Sequence, residues 1–182
     1  MVYDNRSLRR QLSPAWGFSC MVGDELLFDT GGDGSRLLSN MERMGLDAGR
    51  IKRVVLSHAH GDHAGGLGSI LVVNKGVTVY LPHSFRASFK QQVKAHACVV
   101  EVHEPMEIAE GVYTTGEIGR GLVEQALAAV TNQGLVVITG CAHPGMVEML
   151  HRAKQIGGGG IYLAVGGFHL SVAGKRAVED VI

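Results

Sequence analysis

The chain has 182 residues, 46% hydrophobic and 19% charged, with Lys+Arg equal to Asp+Glu. That length suits one domain, residues 1–182, with one core or a compact two-layer unit, and the zero net charge leaves no basic field to draw in nucleic acid or an anionic membrane surface. No apolar run approaches ~18 residues, no signal-peptide layout opens the chain, and Cys20, Cys98 and Cys141 form no CxxC pair, so a cytoplasmic protein without spanning helix, disulfide framework or zinc ribbon is expected.

Taken in chain order, residues 17–22 and 25–28 read as two strands joined at Gly23-Asp24. Residues 35–44 carry Leu37, Leu38, Met41 and Met44 at helical spacing, with Gly45 as a stop. Residues 53–56 are a short apolar strand that delivers the chain to Ser57, and 76–81 is another, closed by Pro82. A helix is predicted over 84–95 and a strand over 98–102. Residues 125–130 and 135–139 flank Thr131-Asn132-Gln133-Gly134, a strong hairpin signal. Then come a helix over 146–156, a strand over 161–165 and a last helix from about Ser171 to Ile182. Sheets covered by helices follow, so the class is α/β or layered α+β.

The chemical signal is His58-x-His60-x-Asp62-His63, placed where a buried-looking strand ends. In an extended segment alternate side chains point the same way. His58 and His60 then share one metal, and Asp62 and His63 a neighbouring one. Imidazole with carboxylate suits Zn²⁺, Mn²⁺ or Fe. The alternative is a surface His-rich loop, but such loops do not follow directly on a buried strand. Trp16 is read as a core residue in preference to a platform for a planar substrate ring, and His83, His96, His103 and His151 as solvated.

This segment resembles the signature of the metallo-β-lactamase superfamily. Other stretches, among them Trp16-Gly17-Phe18-Ser19, Leu27-Phe28-Asp29-Thr30-Gly31, the Thr-Gly-Cys-Ala-His-Pro-Gly run at 139–145 and the Gly-Gly-Phe-His-Leu run at 166–170, resemble one branch of it. That branch is named for 7,8-dihydropterin-6-yl-methyl-4-(β-D-ribofuranosyl)aminobenzene 5′-phosphate synthase. The resemblance implies an αββα sandwich; a missing last strand is left open, because residues 173–182 read as a helix that should lead on to another element, and the branch also tends to carry a further His-Cys-Thr-Gly segment beyond the Gly-Gly-Phe-His-Leu run. Where many members place a third His and a bridging Asp, this chain has Glu117 and Cys141.

Two metals need more donors than one segment supplies. His143 and His169 each follow a strand ending in Gly and are expected on one rim of a sheet. The expected metal ligands are therefore His58, His60, Asp62, His63, His143, His169 and Cys141, with Asp62 also orienting the nucleophile. Cys141 has an alternative role as a small residue packed beneath the site. Asp29 and Glu117 are expected to support the ligands from behind, Asp29 by accepting N–H from a ligating His; its alternative is a cap on the helix near Ser35.

The reading that follows is a hydrolase with two divalent ions, Zn²⁺ before Mn²⁺ or Fe, that attacks a phosphoester or phosphodiester of a small molecule through a metal-bound hydroxide. The alternatives are the branch's alkyl-transfer synthase and a non-catalytic metal- or ligand-binding module; a homo-oligomer is left open. Arg36, Lys52 and Arg120 are the candidates to meet a phosphate.

Overall fold

A computed structural model of the chain describes residues 1–169. The helix expected from Ser171 lies outside the described residues. The chain divides into two units, residues 1–101 and 102–182, and each has its own hydrophobic cluster.

The first unit carries a sheet in the order β1-β2-β3-β4-β5. The strands are β1 (Cys20–Val22), β2 (Leu26–Phe28), β3 (Arg53–Val55), β4 (Thr78–Pro82) and β5 (Cys98–Val102). β1 and β2 pair antiparallel, as the 17–28 hairpin reading requires; β2, β3 and β4 are parallel. Parallel neighbours need crossovers, and helices α1 (Gly34–Arg43) and α3 (Leu67–Val73) lie in them. α1 starts where Asp33 accepts from the backbone N–H of Ser35 and Arg36. Asp33 is thus the cap that Asp29 was the alternative candidate for. Leu37 and Met41 face the core, and so do Leu67 and Ile70 of α3. Full burial stabilises each such side chain by about 1.5–3 kcal/mol. Buried Asn40 ties down the N-terminal segment, donating to the carbonyls of Val2 and Ser13 and accepting from the Ser13 N–H.

Two helices were not anticipated here: α2 (Gly61–Ala64) and α3. The second half of the histidine motif is therefore helical, not extended. His60 still has extended backbone, and Gly61 begins the turn. The expected 84–95 helix is α4 (Ala87–Lys94), and the expected 98–102 strand is β5.

The second unit holds the order β10-β9-β8-β7-β6. Its strands are β6 (Met106–Ala109), β7 (Val112–Thr114), β8 (Leu127–Thr131), β9 (Gly134–Thr139) and β10 (Ile161–Gly166), with α5 at Met146–Gly157. The predicted hairpin is β8–β9, with Thr131 opposite Gly134. The β6–β7 hairpin was missed; its signal is Glu110-Gly111, where Gly111 takes a φ of 66°. α5 packs on β8 and β9, burying Met146, Met149 and Ala153 against Ala126, Ala128 and Val137.

Candidate metal centre

In the first unit β2 and β3 are parallel neighbours, with Phe28 opposite Val55. The chain leaving β2 reaches Asp29 and the chain leaving β3 reaches Ser57, side by side. Asp29 is fully buried. One carboxylate oxygen accepts the Ser57 backbone N–H at 2.7 Å; the other accepts the Ser57 hydroxyl at 2.7 Å and His63 Nδ1–H at 2.7 Å. Burial pushes its carboxyl above the ordinary carboxylate range, while the bonds from His63 and Ser57 pull the other way.

This network sets the tautomers. A carboxylate accepts only, so the single hydroxyl hydrogen of Ser57 is committed to Asp29. The Ser57 Oγ···His58 Nδ1 contact at 2.8 Å must then have His58 Nδ1–H as donor. His58 and His63 both carry their proton on Nδ1 and direct a lone pair from Nε2. Nε2 of His58 lies 3.1 Å from Nδ1 of His60, and Nε2 of His63 lies 3.6 Å from an oxygen of Asp62. Two donors on one tetrahedral Zn²⁺ at ~2.0–2.1 Å stand about 3.3 Å apart. The spacing and the donor types therefore fit divalent ions. The Ser57 hydroxyl thus bonds two side chains, Asp29 and His58.

The close packing demands glycine. A Cβ on Gly17 would sit 2.1 Å from the Asp62 carbonyl oxygen, and one on Gly66 2.2 Å from that of Thr30. Beside Gly17, Trp16 is 75% exposed, so its expected core role is not what the structure shows; Phe18 takes the buried place.

In the second unit β9 and β10 run parallel, with Thr139 opposite Gly166. Both chains therefore leave the sheet at the same edge, and the His143 and His169 rings meet there at 4.4 Å between centroids. Donor atoms of Cys141 and His143 lie within 4.8 Å of each other. The 140–143 loop hangs on a residue that sequence reading missed. Glu124, fully buried, accepts the backbone N–H of Gly140, Cys141 and Ala142 on one oxygen at 2.9–3.0 Å and of His143 on the other at 3.0 Å. Glu117 accepts from Nδ1 of His103 at 2.8 Å; the exposed His103, expected to be solvated, is thus also hydrogen-bonded.

Three non-glycine residues have positive φ: Asp29 at 54°, Ala142 at 55° and His169 at 49°. Such backbone costs of order 1 kcal/mol or more per residue and gathers at functional sites. All three belong to the segments that carry the expected ligands or their support.

Of the phosphate candidates, Lys52 pairs with Glu25 at 2.7 Å and Arg36 donates to the Pro14 carbonyl at 2.7 Å. Arg120 lines a cavity beside His143. Among the described residues no helix is long and apolar enough to cross a membrane.

Comparison with known proteins adds the family. The chain is 28% identical to the 7,8-dihydropterin-6-methyl-4-(β-D-ribofuranosyl)-aminobenzene-5′-phosphate synthase of Methanocaldococcus jannaschii over 226 aligned positions, 93% of this chain and 77% of the relative. It is also similar to a crystal structure of a metal-dependent hydrolase of the β-lactamase superfamily: TM-score 0.80, 28% identity, covering 99% of this chain and 79% of that one. Human tRNase Z, short form, shares the fold at a TM-score of 0.54 and 18% identity over 73% of this chain and 65% of its own. The sequence model of the metallo-β-lactamase superfamily matches residues 22–143, from β1 through Asp29 and the histidine motif to Cys141 and His143. With that span, more than half of its length, the chain belongs to the metallo-β-lactamase superfamily and has its α/β fold.

Proposed function

We propose that the chain is a metal-dependent hydrolase acting on a phosphoester or phosphodiester of a small phosphate-bearing molecule. The observation that carries this reading is the Asp29–Ser57 network, which holds His58 and His63 in the tautomer that a metal ligand needs. The solved structure similar over 99% of the chain is described as a metal-dependent hydrolase, which supports the same reaction class.

The proposed metal donors are His58, His60, Asp62 and His63 in the first unit and Cys141, His143 and His169 in the second; the proposed cofactors are two divalent ions, Zn²⁺ before Mn²⁺ or Fe. Ions so held supply an acidified water and a polarised phosphoryl oxygen. Asp62, with its side chain 25% exposed, reaches solvent, where besides ligating it would orient the attacking water. Asp29 keeps the imidazoles aimed. Glu124 fixes the 140–143 loop, and with it Cys141 and His143.

A second reading is the alkyl-transfer reaction named for the Methanocaldococcus relative. Exposed Trp16 favours it, because its ring is a ready surface for a planar heterocycle and its neighbour Gly17 abuts the Asp62 backbone.

The test is parallel assays of the Zn²⁺- and Mn²⁺-reconstituted protein on bis(p-nitrophenyl) phosphate and on the dihydropterin pyrophosphate plus ribofuranosylaminobenzene phosphate pair. Diester cleavage lost in a His58→Ala/His60→Ala variant that also loses metal is the expected result. Product from the pterin pair alone would replace the first reading by the second. Full metal content in the double variant would overturn the ligand assignment.

A further inference from the structure

The second unit contains a cavity of ≈590 Å³ bounded by His143, Pro144, Glu117, the turn around Arg120 and the first half of α5. Its volume falls in the range of small-molecule sites. Two guanidinium groups line it, Arg120 on the 119–122 turn and half-buried Arg152 on α5. Neither is ion-paired among the described residues. That is notable for Arg152. Glu148 stands four residues earlier on the same helix, the spacing at which Glu and Arg ordinarily pair, and both line the cavity without an ion pair between them. The other carboxylate of the wall, Glu117, is occupied by His103. Arg120 is carried by a turn that only glycine permits: Gly119 has a φ of 98°, and a Cβ there would meet the Pro144 ring at 3.1 Å.

Two arginines with no carboxylate partner, facing one cavity beside a proposed metal ligand, are suited to an oxyanion. A guanidinium matches phosphate with two parallel N–H donors, and it cannot be deprotonated to relieve an absent partner. We infer that Arg120 and Arg152 form a subsite for a terminal phosphomonoester of the substrate, a group distinct from the bond being broken. This rests on the reading of a phosphate-bearing small molecule and narrows it: the substrate is a phosphate-tailed molecule, its tail seated between the 119–122 turn and α5 and its reacting centre directed towards His143.

The experiment titrates the full-length, metal-loaded protein with ribose 5-phosphate and, as the neutral control, ribose. Calorimetry gives the affinity, and the arginine Nε–H resonances of ¹⁵N-labelled protein report the site, with those of Arg120 and Arg152 identified through their Lys variants. Ribose 5-phosphate is expected to bind and to shift both resonances, and ribose to do neither. Arg120→Gln and Arg152→Gln each weaken binding about 10- to 100-fold, as loss of a charge-assisted pair does. Arg→Lys variants retain part of it, and metal content stays that of the wild type. Equal affinity for ribose, or Gln variants within twofold of wild type, would overturn the subsite. Chelator-treated protein separates this outcome from the metal assignment. If ribose 5-phosphate binding vanishes with the metal and ignores the arginines, the anion sits on the metal and the subsite falls while the metal reading stands. If arginine-dependent binding survives chelation, the subsite stands whatever the metal does.

Discussion

The two units position their expected ligands by different means. In the first, side chains hold side chains: the Asp29 carboxylate and the Ser57 hydroxyl set the tautomers of His58 and His63 within a core formed by parallel strands. In the second, one carboxylate holds backbone: Glu124 gathers four successive N–H groups, 140 to 143, and the side chains follow from the shape of the loop. The first device tunes the chemistry of the donors, whereas the second supports the fold of the loop that bears them. Damage to the second should therefore appear first as lost stability, and damage to the first as lost metal affinity.

Removing the backbone strap should have the largest effect. Glu124→Ala leaves four donors around a buried space without their acceptor. Breaking a buried, charge-assisted network of this kind costs about 3–5 kcal/mol, which for a chain of this size is a fall in Tm of roughly 6–20 °C. Glu124→Gln keeps one acceptor oxygen and should lose about half as much. Thermal unfolding followed by circular dichroism measures both. A Tm within ~2 °C of wild type for the Ala variant would mean that the loop holds its shape without the carboxylate.

Breaking the side-chain relay should be milder for stability and sharper for metal. Asp29→Asn suits the test because Asn tolerates the left-handed backbone that Asp29 adopts at φ 54°. The amide removes the charge and offers only one accepting oxygen to Ser57 and His63, so His63 loses the partner that fixes its proton on Nδ1. Metal affinity is expected to fall 10- to 100-fold, with a stability loss of about 1–3 kcal/mol. Competition with a chromogenic chelator gives the first number and urea denaturation the second. An unchanged metal affinity would strip Asp29 of its positioning role.

How far the sequence revealed this site follows from the same contrast. His58, His60, Asp62 and His63 lie within seven residues and follow a strand, so local spacing alone finds them. Asp29 could be named because it ends a strand before Thr30-Gly31, but its true partners are 28 and 34 positions away. Glu124 left no local signal: it precedes a strand in an unremarkable stretch, and its partners are 16 to 19 residues further on. The extended reading of the motif failed at Gly61 for a related reason. Alternation predicts which side chains share a face only while the backbone stays extended, and four residues of α2 carry too little periodicity to announce a helix. The core role expected of Trp16 is filled by its neighbours: Val2 and Tyr3 lie in the first core and Phe18 is buried, while Trp16 stays exposed.

The smallest effect expected tests the cost of the second unit's loop shape. Ala142 holds φ 55° while its methyl group is buried in the second core. Ala142→Gly removes a left-handed penalty of about 1–2 kcal/mol. Against this stand the loss of a buried methyl, about 0.8 kcal/mol, and the greater freedom of glycine in the unfolded chain, about 0.4–1 kcal/mol. The terms nearly cancel, so stability should change by no more than about 1 kcal/mol in either direction, or roughly 4 °C in Tm. Because Glu124 still grips the N–H of residue 142, metal affinity should remain that of the wild type. A clear gain in stability would show that the strain is real and is tolerated for the sake of the ligands. A clear loss would show that the Ala142 methyl, packed beside Met146 and Met149, sets the turn, and that the Glu124 bonds follow from the packing instead of causing it.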